Sequence, residues 1–263
     1  MLSKMKNQQA VTSGNLDLRL PRSWDELTDR QLRFLFRLLS KQRPEAEVKL
    51  LCLLRFSGLS LVGRVDAAWL VKAPDGRLAV ISAMQLAEAI PALDFICQPP
   101  QSPRLISRWR RLRHIPLTLE GVPFEKYIII ENLYQGYLHS QDDALLRQIA
   151  DIVYPGRRWW HGPFPKFILT AVFFFVVSLK NYLAALYPDF FQPMGDGEPA
   201  NLLGVRKDIG VQLRDSMNAQ LRALTKGDVT KEAEILALDT HRALTELNAQ
   251  AREYAELKSK FPS

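Results

Sequence analysis

Apolar residues recur along most of this chain every three or four positions, the period of helices that bury one face. Leu32, Leu35, Phe36 and Leu39 form such a stripe, with Arg30, Arg33, Arg37 and Lys41 on the opposite side. Two capping boxes precede it, Ser23 with Glu26 and Thr28 with Gln31. Each sets a hydroxyl three residues before a side chain that reaches back to the cap amide. Pro44 starts a second helix, and Gly58, which accepts a left-handed backbone, ends it. Ser82 and Gln85 launch a third through Leu86, Ile90 and Phe95, broken or kinked at Pro91. Residues 124–138 and 144–154 read as two more helices, the second capped by Asp142. Near the end, Leu202, Val205, Ile209, Leu213, Met217, Leu221 and Leu224 share one face of a long helix. Lys226-Gly227-Asp228 then turns the chain into a return helix capped by Thr230. Ile235, Leu238, Leu244, Leu247, Ala251, Tyr254 and Leu257 line that second arm.

Period two is rarer. Leu16-Asp17-Leu18-Arg19-Leu20 alternates and stops at Pro21, as a short strand does, and Pro116-Leu117-Thr118-Leu119 reads as another. Trp69-Leu70-Val71 and Leu78-Ala79-Val80-Ile81 flank Ala73-Pro74-Asp75-Gly76, whose proline and glycine suit a hairpin turn. The expected fold is therefore mainly α: a helical body with a small β-hairpin or strand element and a long C-terminal helical hairpin. Residues 1–15 form a polar tail, 16–98 an N-terminal α+β region and 104–187 a helical region. Residues 188–200, rich in Pro and Gly, are a linker to the hairpin of 201–263, and the proline-rich 98–103 is a boundary.

Residues 167–179 carry no charge, and a further apolar turn at 182–187 follows Lys180 and Asn181. Arg157, Arg158, Trp159 and Trp160 precede the run like a membrane-interface belt, so an anchor at 167–187 is one reading. Thirteen residues span only about 20 Å as a helix against a hydrocarbon core of about 30 Å, which favours a helix surrounded by protein.

At 263 residues with 47% apolar and 24% charged content, the chain is a globular protein and not a disordered tail. Its net charge is +7, and Arg104, Arg108, Arg110, Arg111 and Arg113 supply five of those charges within ten residues. At helical spacing Arg104, Arg108 and Arg111 share a face, as do Arg110 and Arg113. The cluster, with Trp109 to stack on a base, is a candidate nucleic-acid or acidic-partner patch, against a solvated basic face. Cys52 and Cys97 sit in apolar helical patterns and read as core thiols, not as a disulfide framework. His114, His139, His161 and His241 are scattered singly, and no phosphate-cradling, metal-ligating or nucleophile motif occurs, so neither an enzyme nor a cofactor or metal site is expected. The polar N-terminus lacks a secretory h-region, which makes a cytoplasmic location the expectation.

Two segments carry a family resemblance. Leu18-Arg19-Leu20-Pro21-Arg22-Ser23-Trp24-Asp25-Glu26-Leu27-Thr28-Asp29-Arg30-Gln31 resembles the start of small proteins encoded in phage and prophage tail gene clusters, commonly taken as tail assembly chaperones. Arg222-Ala223-Leu224-Thr225-Lys226-Gly227-Asp228-Val229-Thr230-Lys231-Glu232, with Ile235-Leu236-Ala237-Leu238-Asp239 and a final helix, is similar to their C-terminal part. The two segments cover about a quarter of the chain. The resemblance implies a non-enzymatic helper in the host cytoplasm that binds the tape measure or tail-tube protein and keeps its apolar helices soluble. It brings no catalytic or ligand residues. The apolar face of Leu213, Met217, Leu221, Leu244, Leu247 and Tyr254 is the candidate partner-binding surface.

Overall fold

The computed structural model describes residues 20–66, 68–158, 161–191, 222–225 and 228–260. The protein is mainly α-helical with a small antiparallel sheet and a separate two-stranded hairpin. It divides between Pro99 and Pro100 into two compact units.

In the N-terminal unit a short 3-10 turn, Trp24–Glu26, leads into α1 (Asp29–Leu39). The capping box at Thr28 and Gln31 forms in both directions. The one expected at Ser23 does not, because the following segment winds as a single 3-10 turn. Glu26 instead accepts from the Arg22 backbone N–H at 2.8 Å. Leu38 joins Leu32, Leu35 and Phe36 in the buried face, while Leu39 is half-buried at the helix end.

Helix α2 (Glu45–Phe56) follows Pro44. At its end Gly58 has φ +72°, and a Cβ there would lie 2.8 Å from the Pro74 ring, so both conformation and space require glycine. The hairpin at residues 73–76 gains a third strand that alternation did not reveal. β1 (Ser60–Val65), β2 (Ala68–Lys72) and β3 (Leu78–Ser82) form a meander in that order, with a bulge between Leu61 and Gly63. β1 carries exposed Leu61, Val62 and Val65 and so lacks the inward-outward alternation that marks a half-buried strand.

Helix α3 (Ala83–Ala89) starts on the expected Ser82–Gln85 box and tightens into a 3-10 helix, Ile90–Cys97, at Pro91. Three residues per turn puts Leu93 and Ile96 together inside and turns Cys97 outward. Trp24 closes this unit: buried, stacked on Phe36 at 6.0 Å, its indole N–H donates to the carbonyls of Phe95 and Gln98, each at 2.9 Å.

The C-terminal unit is built around α6 (Lys166–Leu186). Helices α4 (Phe124–Ser140) and α5 (Asp143–Val153) are joined by Gln141 at φ +55° and Asp142, whose carboxylate accepts from the Ala144 N–H at 2.8 Å; both pack on α6. Ile168, Leu169, Ala171, Val172, Phe175, Val176, Leu179 and Leu183 are buried, and the Ser178 hydroxyl donates to the Phe175 carbonyl. Among the described residues α6 is the helix long and apolar enough to cross a membrane; half of its most apolar window is covered by protein. Lys180, within the apolar stretch, is paired with Glu131 of α4 and lies 5.5 Å from the Tyr134 ring centre, so its charge is met inside the fold.

Residues 116–119 are not a strand. They turn, with Leu119 donating to Pro116 and taking φ +65°. Helix α7 (Pro188–Phe191) follows α6, and the expected single return helix is also broken, into α8 (Glu232–Ala237) and α9 (Thr240–Lys260). Between them, Leu238–Thr240 lies along the Val122–Phe124 backbone: Phe124 N–H donates to Leu238, and Thr240 donates to Val122 through both its N–H, at 2.9 Å, and its hydroxyl, at 2.7 Å. A helix continuing through Leu238 would have no N–H or C=O to offer that segment. The strand expected at 16–20 and the first hairpin arm lie outside the described residues, apart from Leu20 and 222–225.

Two substitutions test this packing. Thr240→Val removes a buried hydroxyl donor and should lower stability by about 1–2 kcal/mol in urea unfolding followed by circular dichroism. Phe175→Ala, at the centre of α6, should cost about 3–5 kcal/mol.

Candidate functional site

The arginine cluster is not helical. Arg108–Trp109 and Leu112–Arg113 are two short strands, β4 and β5, paired as Arg108 opposite Arg113 and Trp109 opposite Leu112. The helical grouping of Arg104, Arg108 and Arg111 therefore does not form. In a strand pair this short, side chains alternate: Trp109 and Leu112 turn inward while Arg108, Arg110, Arg111 and Arg113 are exposed, and Arg104 is half-buried. Trp109 is only 5% exposed and cannot stack on a base. Its ring instead packs on Phe164 at 4.5 Å and on His161 at 6.3 Å.

That packing brings a second basic segment to the hairpin. The Arg157 guanidinium lies 5.2 Å from the Phe164 ring centre, and the Arg110 guanidinium 5.2 Å from that of Trp109. Arg157 is also held by Asp151, through its Nε and through Nη2 at 3.1 Å. The Arg158 N–H donates to His161 Nδ1 at 3.0 Å, so this buried ring serves as a backbone acceptor. In sequence Arg157 and Arg158 stand out only as a flank to the apolar run. Trp159 and Trp160 lie outside the described residues.

The C-terminal apolar face is divided. Leu244 and Leu247 are buried within their own unit and are not available to a partner, whereas Tyr254 is 63% exposed. Leu213, Met217 and Leu221 lie outside the described residues.

Two further histidines are structural. His241 Nδ1 accepts from the Tyr187 hydroxyl at 2.7 Å and its Nε2 donates to the Thr118 carbonyl at 2.7 Å, while His114 Nδ1 lies 2.6 Å from the Ile115 carbonyl. Among the described residues no group of histidines, cysteines and carboxylates is placed to hold a metal. A cleft of about 320 Å³ is lined, among the described residues, by Thr28, Arg30, Gln31, Arg55 and Gly58, none of which carries a carboxylate, imidazole or thiol.

In the N-terminal unit, Lys49 bridges Glu45 and Asp94, at 2.5 and 2.6 Å, beside Cys97. Hydrogen bonds from Lys49 and the Cys97 thiol hold the Glu45 carboxyl below its usual range. Cys97 is exposed, correcting its expected place in the core, yet desolvation and the Glu45 carboxylate keep its thiol above the ordinary range. Burial pushes the Cys52 thiol up to about 12. Neither is an activated nucleophile. A disulfide reagent should therefore titrate one thiol in the native protein, lost in Cys97→Ser, with a rate that keeps rising beyond the ordinary thiol range. Cys52 should react only after unfolding. Compared with protein-family models, curated proteins and solved structures, the chain matches none.

Proposed function

We propose that this chain is a non-enzymatic interaction protein of phage tail assembly, a chaperone that binds the tape measure or tail-tube protein in the host cytoplasm. The observation that carries this reading is the far end of α9. Its first half is anchored by buried Ala243, Leu244 and Leu247, but Tyr254 and Leu257, 63% and 57% exposed, stand largely open on one helix face. An exposed aromatic–leucine pair three residues apart suits an apolar stripe on a partner helix. The two end segments that resemble tail assembly chaperones support the same reading. Their distinctive residues support the fold: Asp228 accepts from Thr230, and Asp239 accepts from the N–H groups of Gly121, His241 and Arg242. They set the position of α9 and leave contact with a partner to its distal end.

The chain should co-purify with the tape measure protein encoded beside it when the two are co-expressed. Tyr254→Lys with Leu257→Lys should abolish capture while leaving the circular dichroism and melting of the chain unchanged, because both side chains are exposed. A wild-type chain that neither captures nor solubilises that tape measure overturns the proposal.

A further inference from the structure

Within the C-terminal unit, the two segments that meet through Trp109 and Phe164 share an unusual composition. No Asp or Glu occurs between Asp94 and Glu120, nor between Asp151 and Asp189. The first tract contributes Arg108, Arg110, Arg111 and Arg113 on one hairpin; the second adds Arg157, Arg158 and, two residues beyond Phe164, Lys166. The contact at 4.5 Å therefore joins two basic tracts, and Arg157 in the second is ion-paired with Asp151.

The hairpin is also built against its own local preferences. Arg108 and Arg113 are direct cross-strand neighbours, an arrangement of like charges that disfavours strand pairing. Its two-residue loop starts with Arg110 at φ +55°, where Gly, Asn or Asp is the low-energy choice. What holds the hairpin despite this is the wall behind it: buried Trp109 and Leu112, and the Ile115 N–H donating to the Val153 carbonyl at 2.9 Å. Strain kept in place by surrounding structure and paired with concentrated charge is a mark of a binding site.

The geometry points to a binding surface for the phosphate backbone of duplex DNA, formed by the β4–β5 hairpin with Arg158 and Lys166, beside the Arg157–Asp151 pair. A two-stranded ribbon fits a DNA groove, and its guanidiniums bind phosphate oxygens in pairs. With Trp109 buried, the hairpin has no base-stacking platform of its own, so binding is insensitive to sequence and favours the duplex over a single strand.

The test measures binding of the full chain to a labelled 20-base-pair duplex, by anisotropy, across a salt series. The logarithm of the association constant should fall with the logarithm of salt at a slope of about −3 to −5. Two sequences of equal length should bind alike, and the single strand more weakly. Replacing Arg110, Arg111 and Arg113 together by glutamine should weaken binding at least about tenfold and make the slope shallower by about 2–3. Arg110→Asn keeps the loop conformation without strain, so it should weaken binding while leaving the melting temperature unchanged or raised. Arg252→Gln, on the exposed part of α9, should change nothing. The proposal is overturned by absence of duplex binding at low salt, by salt-independent binding, by tighter single-strand binding, or by full affinity in the triple variant. Binding to vesicles of phosphatidylserine and phosphatidylcholine without binding to the duplex overturns it equally.

Discussion

The placement of α9 depends on the pairing of residues 238–241 with the backbone of residues 118–124. Five hydrogen bonds converge there: from Gly121 to Asp239, from Phe124 to Leu238, from the N–H and hydroxyl of Thr240 to Val122, and from His241 to Thr118. Thr240 is wholly buried, so its hydroxyl has no solvent alternative. Leaving such a donor unmet costs about as much as several exposed ion pairs contribute. The same strip starts α4, so one exchange of backbone bonds sets the origin of two helices. Tyr187, at the end of α6, completes it by donating to His241.

From that frame the arrangement of the C-terminal unit follows outward. α6 buries one face, from Ile168 through Val172, Phe175 and Leu179 to Leu183, in a unit where α4 and α5 pack against it, and the Lys180 charge is met by Glu131. The α5 end then carries Tyr154, whose buried hydroxyl donates to the Ile106 carbonyl at 2.6 Å and so ties down the segment leading into the arginine hairpin. Aromatic packing of Trp109, Phe164 and His161 continues the same wall. The basic hairpin stands on this apolar wall, and the wall joins two tracts without Asp or Glu.

The N-terminal unit uses a single large side chain for the comparable task. Trp24 lies in the segment that carries the family resemblance, and its indole binds the last turn of the unit, some seventy residues on. The tryptophan there is a closing bolt, with a ring inside and one N–H shared between two carbonyls. Its role is structural, as are those of Asp228 and Asp239 at the other end of the chain.

Local chemistry determined a good deal. The Thr28 and Ser82 boxes, the Asp142 cap, the Gly58 stop and the turn at Gly76 all formed as their residues require, because each involves partners within four positions. Helix period likewise marked α1, the Pro44 start and Gly58 stop bounded α2, and the uncharged run at 167–179 marked α6. What the chain could not announce by spacing is where non-local partners compete. β1 is a strand only because β2 offers its edge, and the return helix breaks at Leu238 because the backbone of residues 122–124 needs its groups. Cys97 faces out because Pro91 changes the pitch. Of the candidate residues, the arginines were legible as a charge cluster, but their display on a hairpin, the burial of Trp109, Leu244 and Leu247, and the arrival of Arg157 and Arg158 came from packing. Charge and period are properties of a segment, whereas exposure and neighbourhood are properties of the folded whole.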